Sequence, residues 1–390
     1  MQSALTCDVV VVGAGITGAA CALAAARAGL RTALLDRGPV AGGTTGAGEG
    51  NLLVSDKAPG PELDLALLSV GLWAELAAEL GPAAEYEPKG GLVVASSPEG
   101  FAALERFASR QRAAGVAAQT VTADQLPGLE PKLAPGLTGG VYYPQDAQVM
   151  PALAAAGLVR LARDAGAELH AGQEVTAVLR GRDGAVRGVR TARGHTFHAP
   201  AVVNAAGVWG GQLAALAGVR LPVLPRRGFV LVTEPLPRLV RHKVYAADYV
   251  ADVASDSAAL QTSPVVEGTS AGPVLIGASR ERVGFDRTPS LPALRALAAG
   301  ATRLFPFLAS VRAMRSYLGF RPYLPDHLPA IGADPRVPGL LHACGHEGAG
   351  IGLAPGTAQL IVRQLTGGVP ALDLAPFRPD RFPDPEEAPR

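Results

Sequence analysis

The chain has 390 residues, 48% apolar and 18% charged, with a formal net charge of +1. That length predicts two domains, and the balanced charge supplies no basic surface for nucleic acid or an anionic membrane. Three scattered cysteines, Cys7, Cys21 and Cys344, exclude a disulfide framework and fit a reducing, cytoplasmic setting.

The first residues lack a basic segment and Asp8 interrupts them, so they read as a strand rather than a signal peptide. Arg27, Arg31 and Asp36 then break the apolar pattern before it becomes long enough to cross a bilayer. DVVVV, residues 8–12, does not alternate, as expected of a strand buried on both faces. A helix follows over 16–28, stopped by Gly29, and RTALLD (31–36) is the second strand. Leu65, Leu68, Leu72 and Leu76 give 62–80 a helical period, and a second helix covers 98–114. The Pro- and Gly-rich stretch 117–150 reads as loops with short strands. Pro151 opens a helix that Gly166 stops, and strands follow at 174–180, 185–191 and 200–204. Several strands fill 223–285, before a helix at 291–304 and a strand and loop over 313–325.

The first chemistry lies in VVGAGITG. Gly13, Gly15 and Gly18 stand at dinucleotide-binding spacing between strand and helix, with Ala14, Ile16 and Thr17 between and after them. The first glycine permits the tight turn, the second lets backbone approach a pyrophosphate, and the third lets the helix pack on the strand. Free N–H groups at the helix start then face the phosphates. Asp36, at the end of the second strand and followed by Arg37, is placed to bind both ribose hydroxyls and disfavours a 2′-phosphate. This unit alone leaves NAD and FAD open. GGTTGAGEGN (42–51) follows, with Gly43, the paired hydroxyls of Thr44 and Thr45, then Glu49, Gly50 and Asn51. A chain extended in this way beside a dinucleotide favours an enclosed flavin.

GHEGAGIGLAPGTAQL, residues 345–360, invites four readings: a His/Glu catalytic pair, a metal site, a phosphate cradle or a tight turn. His342, Cys344 and His346 alternate as zinc ligands on a strand would, yet no fourth ligand is near in sequence. A zinc-protease motif is excluded because position 350 is glycine.

With these pieces the chain resembles the D-amino-acid oxidase and glycine oxidase superfamily of FAD enzymes over nearly its whole length. VVGAGITGAA, GGTTGAGEGN, VVNAAGVWG (202–210), LGFRPYLPDHLPAIG (318–332) and GHEGAGIGLAPGTA carry the likeness. GEGNLLVSDK, SRERVGFDR and GHEGAGIGLAP are most similar to the β subunits of opine and D-hydroxyproline dehydrogenases and of hydrogen cyanide synthase. The resemblance implies an α/β fold of glutathione-reductase type. Its FAD-binding Rossmann domain (1–85, 150–220 and 321–390) is interleaved with an antiparallel-sheet α+β substrate domain (86–149 and 221–320).

By resemblance, Thr44, Thr45, Glu49, Gly50 and Asn51 line pyrophosphate and flavin, and Val175 presents its backbone to the adenine. Ala205, Ala206 and Gly207 form a second crossing over the cofactor, followed by Trp209. Gly345, His346, Glu347, Gly348, Gly350, Ile351 and Gly352 carry backbone along the isoalloxazine edge. In that reading the His346 and Glu347 side chains face the substrate cavity or a partner, and a helix begins near 352–354. Arg321 matches the arginine that holds the substrate carboxylate, a task suited to a planar, always charged fork. The sarcosine oxidase branch has a flavin-linked cysteine there, so the arginine implies non-covalent FAD. Gly348 departs from glycine oxidases, which carry a second carboxylate-binding arginine, and this puts glycine or sarcosine as substrate in doubt. Tyr249, with Tyr245 behind it, and His346 complete the candidate catalytic set.

The implied activity is oxidation of the C–N bond of a D-amino acid, cyclic imino acid or N-substituted amino acid, by hydride transfer from the α-carbon to flavin N5. A stand-alone glycine or D-amino-acid oxidase using oxygen remains open, as does a non-catalytic flavoprotein subunit. Three cysteines form no cluster motif, so any iron–sulfur relay would lie in a partner subunit.

Overall fold

The computed structural model describes residues 4–247 and 257–382. Two large sheets organise them. The first has six strands in the order Ala330–Ala333, Leu340–Cys344, Ala201–Asn204, Val9–Val12, Thr32–Asp36 and Glu168–Ala171. All its pairs are parallel except the outermost, Ala330–Ala333 against Leu340–Cys344. Val9–Val12 sits centrally and is wholly buried, which is why its sequence runs apolar without alternation.

Helix Ile16–Arg27 packs against helices Pro151–Asp164 and Gly350–Leu365 on one face of this sheet. The other face is covered by helix Gly210–Leu216 and a four-stranded sheet. That small sheet is ordered Ala4–Thr6, Thr196–His198, Val186–Thr191 and Val175–Arg180.

The second large sheet has eight strands. Their order is Ala313–Tyr323, Leu224–Thr233, Val274–Arg280, Gln261–Gly268, Lys243–Ala246, Gly91–Ala95, Gly139–Tyr143 and Gln119–Thr122. Only Lys243–Ala246 and Gly91–Ala95 pair in parallel; the others are antiparallel. Helix Leu291–Leu304 buries Ala293, Leu297, Ala301 and Leu304 against Phe229, Val266 and Ile276 of this sheet. A two-stranded clip, Asn51–Leu52 with Ala147–Gln148, ties the loop after the second strand to the rest.

The C-terminal helix starts at Gly350, two to four residues before the expected point, and contains Pro355. Proline has no N–H for the carbonyl of Ile351. Trp73 fills that gap: its indole nitrogen donates to Ile351 O (3.1 Å) and Gly352 O (3.0 Å). Gly356 packs so tightly that a Cβ there would lie 2.4 Å from Ser69 Oγ, fixing helix Pro61–Leu80 against this one. No helix among the described residues is long and apolar enough to cross a membrane.

Candidate active site

A cleft of about 540 Å³ runs from the C-terminal ends of the parallel strands to the cavity-facing side of the antiparallel sheet. At its nucleotide end the chain turns sharply at Gly13, whose φ is +113°. A Cβ on Gly13 would lie 2.4 Å from Ala205 O, and one on Gly18 would lie 1.8 Å from Gly13 O. Only glycine lets the first loop and the 205–207 crossing approach this closely. Helix Ile16–Arg27 opens here with no side chain of its own as cap, and Ile16 N donates instead to Thr45 Oγ1 (3.0 Å).

Asp36 faces this end, but both its oxygens already accept backbone N–H groups, from Ala14 and Gly38, each at 2.7 Å. The carboxylate thus fastens the glycine turn and keeps only its remaining lone pairs for a ligand. The Arg37 guanidinium lies 4.0 Å from the Trp209 ring centre, and Phe285 stacks on Trp209 at 5.9 Å. Val175 lines the same end, beside Gln173 and Glu174, which the sequence reading did not single out.

Further in, Thr44 Oγ1 donates to Phe320 O at 2.6 Å, joining the loop to the antiparallel sheet. Glu49 and Asn51 line the cleft; Glu49 Oε1 and Asn51 Oδ1 are buried and accept no hydrogen bond from the described residues. Glu49 aims at the antiparallel sheet, since a Cβ on Gly277 would meet its carboxyl oxygens at 2.4 and 2.6 Å. Burial pushes its carboxyl up, Lys243, Arg321 and Arg280 oppose that, and Glu267 adds to it.

Arg321 lines the cleft from strand Ala313–Tyr323, and its Nη1 donates to Ser279 O at 2.8 Å. Its guanidinium occupies space that a side chain on Gly228 would need, since a Cβ there would lie 2.1 Å from Nη1. A Cβ on Gly348 would rest 3.6 Å from Arg321 Cδ and Nε, so residue 348 stands beside that guanidinium and, as glycine, adds no side chain there.

Two side chains behave differently from the expectation. His346 lines the cleft, but its Nε2 pairs with Thr357 Oγ1 at 3.0 Å, and burial pushes the imidazole down to about 4, so it is neutral. Glu347, at φ +48°, turns into a buried pair with Arg226 and accepts from His327 Nδ1 at 3.0 Å. Burial alone would raise its carboxyl; the His327 hydrogen bond and the charges of Arg226, Arg280 and His327 hold it below the usual range. The Glu347 carboxyl and His346 Nε2 are thus engaged by internal polar groups.

Most of the expected cofactor residues meet at this cleft: Gly13, Gly15, Ile16, Thr17, Asp36, Arg37, Gly43, Thr44, Thr45, Glu49, Asn51, Val175, Ala205, Gly207, Trp209, His346, Glu347, Gly348, Gly350 and Ile351. Ala14, Gly18, Gly50, Gly345 and Gly352 stand behind the wall and shape it. Tyr249 lies outside the described residues. Tyr245 is fully buried, its hydroxyl donating to Ser55 Oγ at 2.5 Å, so it belongs to the core and not to the cleft. The alternating His342, Cys344 and His346 do not converge. His342 pairs with Asn204 and Asp334, Cys344 is buried with its thiol pushed up to about 12 by that burial, and His346 joins Thr357.

A parallel sheet that ends in a glycine turn, joined to an antiparallel sheet that closes the far end of the cleft, defines a dinucleotide-dependent oxidoreductase. The chain belongs to the family of FAD dependent oxidoreductases called DAO, whose model matches residues 8–364. It is 32% identical to hydrogen cyanide synthase subunit HcnC from Pseudomonas aeruginosa over 97% of each chain. It is also 32% identical to glycine oxidase from Geobacillus kaustophilus, over 95% of this chain and 96% of that one. The crystal structure of that glycine oxidase superposes with a TM-score of 0.87 at 31% identity, over 97% of this chain and 100% of the other. L-Proline dehydrogenase from P. horikoshii shares the fold, with a TM-score of 0.88 at 23% identity over 97% and 98% of the two chains.

FAD is therefore the cofactor, and the cleft suits it. The Gly13–Ala205 approach, the uncapped helix start and the buried, unpartnered Asn51 Oδ1 are features that a dinucleotide with a hydrogen-bonding ring system would satisfy.

Proposed function

We propose that the protein oxidises the C–N bond of a small amine bearing a carboxylate: a D-amino acid, a cyclic imino acid or an N-substituted amino acid. The observation that carries this reading is Arg321, a guanidinium lining the cleft beside Gly348. A planar fork binds a carboxylate through two parallel hydrogen bonds and so fixes the neighbouring α-carbon. When bound, FAD supplies the two-electron acceptor for the hydride on that carbon. Residues 13–18, 36–37, 175 and 205–209 would hold its nucleotide half, 43–51 would line pyrophosphate and flavin, and the backbone of 345–352 would follow the ring edge. The start of helix Gly350–Leu365 would stabilise negative charge there.

The substrate is larger than glycine in this reading, because Gly348 leaves room beside Arg321 that an arginine would fill. FAD is held non-covalently, since the position facing the substrate is arginine rather than cysteine. We assign residues 1–85, 150–220 and 321–390 to the FAD-binding domain and 86–149 and 221–320 to the substrate domain. The strand bearing Arg321 runs on to Tyr323 and joins the two. Electrons leave through partner subunits carrying iron–sulfur or flavin centres; Cys7, Cys21 and Cys344 are buried and form no such site. Likeness to a protein that is itself a subunit, HcnC, supports that arrangement.

The test is anaerobic bleaching of the bound flavin by a panel of D-amino acids, hydroxyprolines, opines, glycine and sarcosine. Reoxidation by oxygen and by an artificial acceptor then separates oxidase from dehydrogenase. Bleaching by glycine alone would refute the larger substrate.

A further inference from the structure

We propose that Glu49 is the acid–base residue of this site: its carboxylate receives the substrate's ammonium group and takes a proton from it before the α-carbon is oxidised. The inference rests on the reading of Arg321 as carboxylate anchor and adds a second contact for the same substrate.

Glu49 is only 7% exposed, it lines the cleft, and its Oε1 has no hydrogen-bond partner among the described residues. A buried carboxyl oxygen without a donor is costly, so such a group calls for a ligand that donates. The carboxyl cannot swing away freely, because its backbone is pinned on both sides. Tyr317 Oη donates to Gly48 O at 3.3 Å, Val149 N donates to Gly50 O at 3.0 Å, and a Cβ on Gly50 would lie 1.7 Å from Val149 O. Two glycines on the antiparallel sheet open the space: Gly277 beneath the Glu49 carboxyl and Gly228 beneath the Arg321 guanidinium. A positive and a negative group thus face one cleft, close enough for the Arg321 charge to act on the Glu49 carboxyl. That is the pattern required by a zwitterion carrying a carboxylate and an ammonium.

Among the described residues, the surrounding charges leave Glu49 as the group available to the nitrogen. Glu267 is committed to Lys243 at 2.7 Å and to Gly50 N at 3.3 Å. Lys243, Arg280 and Arg321 are cations, and Tyr317 is a phenol that burial pushes well above its usual value, so it keeps its proton. Glu347 is taken by Arg226 and His327. The chemistry needs such a base. In an ammonium the nitrogen lone pair is held in an N–H bond and cannot form the new C=N bond. The proton passes from nitrogen to the Glu49 carboxylate, giving a neutral amine and a carboxylic acid. The α-carbon's hydrogen then leaves with its electron pair to FAD, the two-electron oxidant. The nitrogen lone pair becomes the π bond of an iminium ion, and Glu49 later returns its proton to solvent. Burial makes the carboxylate a better base for this transfer.

The experiment uses FAD-loaded protein and unreactive ligands, read by calorimetry. 2-Methylproline carries carboxylate and ammonium but no α-hydrogen; tetrahydro-2-furoate has the carboxylate and a ring oxygen in place of the nitrogen. Wild type is expected to prefer 2-methylproline by about tenfold or more, the worth of a hydrogen bond between charged groups. Glu49→Gln should reduce that preference to about threefold or less while keeping the affinity for tetrahydro-2-furoate. In wild type the preference should also fall on acidification, as the carboxyl, pushed up by burial, takes a proton, which needs no variant to fold. No preference in wild type, a preference that survives Glu49→Gln, or one independent of pH would each overturn the assignment. Arg321→Met serves as the separate arm: it should weaken both ligands alike, and unchanged binding of tetrahydro-2-furoate would sink the carboxylate reading instead.

Discussion

Gly13→Ala should destabilise the fold by roughly 2–5 kcal/mol and loosen FAD. The native φ of +113° costs an L-residue roughly 1–2 kcal/mol. The added methyl would also lie 2.4 Å from Ala205 O and 2.8 Å from Ala205 C, and forcing that backbone aside adds roughly 1–3 kcal/mol. The 205–207 crossing can give way only by moving from Val12, to which Ala205 N donates at 3.0 Å. Gly29→Ala is the control, because its φ is +81° and nothing lies within 4 Å of its Cβ position, leaving the torsional cost alone. The assay is the thermal midpoint of apo and FAD-loaded protein, with FAD retained after gel filtration as the second readout. Gly13→Ala protein that melts with Gly29→Ala and keeps its FAD would refute the argument that close approach, not torsion alone, demands glycine here.

His346 should remain neutral far below the usual histidine range. Its folded value of about 4 lies under the unfolded 6.5, so the folded state binds fewer protons, and stability falls as pH drops from 6.5 towards 4 by about 3 kcal/mol in total. NMR titration of the imidazole checks this; a midpoint near 6.5 would contradict it. Glu347→Gln should destabilise the protein by roughly 3–5 kcal/mol, since it removes the charged partner of a buried ion pair with Arg226. With its carboxyl held low, Glu347 contributes stability above the unfolded carboxylate range and loses it as pH falls through the folded value, so the variant's deficit should shrink in acid. Chemical denaturation at several pH values measures both effects. Gly348→Ala should fold normally, because its Cβ meets nothing closer than 3.6 Å, and should raise KM for bulkier substrates more than it lowers kcat.

The nucleotide half was legible from residues 8–36 because its determinants are local. An unbroken β-branched run, three glycines at fixed spacing and a strand-end acid all follow from a single βαβ unit. The start of helix Gly350–Leu365 was less legible. The family resemblance placed it at 352–354, and Trp73, 278 residues from Ile351 in sequence, supplies the donor that Pro355 lacks. Side-chain destinations were least legible of all. His346 and Glu347 line the cleft as the sequence suggested, but their polar partners, Thr357, Arg226 and His327, come from other segments. Glu49 shows the same limit in reverse: grouped with the pyrophosphate contacts by its neighbours in sequence, it aims its carboxyl at Gly277 of the antiparallel sheet. Such pairings arise from strands far apart in the chain, and no local pattern encodes them.

Anaerobic reduction of the bound flavin in wild type and in Arg321→Met tests the central claim most directly. The account predicts that a carboxylate-bearing secondary or D-configured amine bleaches the wild-type flavin. It predicts that the FAD-loaded variant needs at least about a hundredfold more substrate, or fails to bleach, having lost a bidentate charged contact. Bleaching of Arg321→Met at the wild-type half-saturating concentration would contradict it.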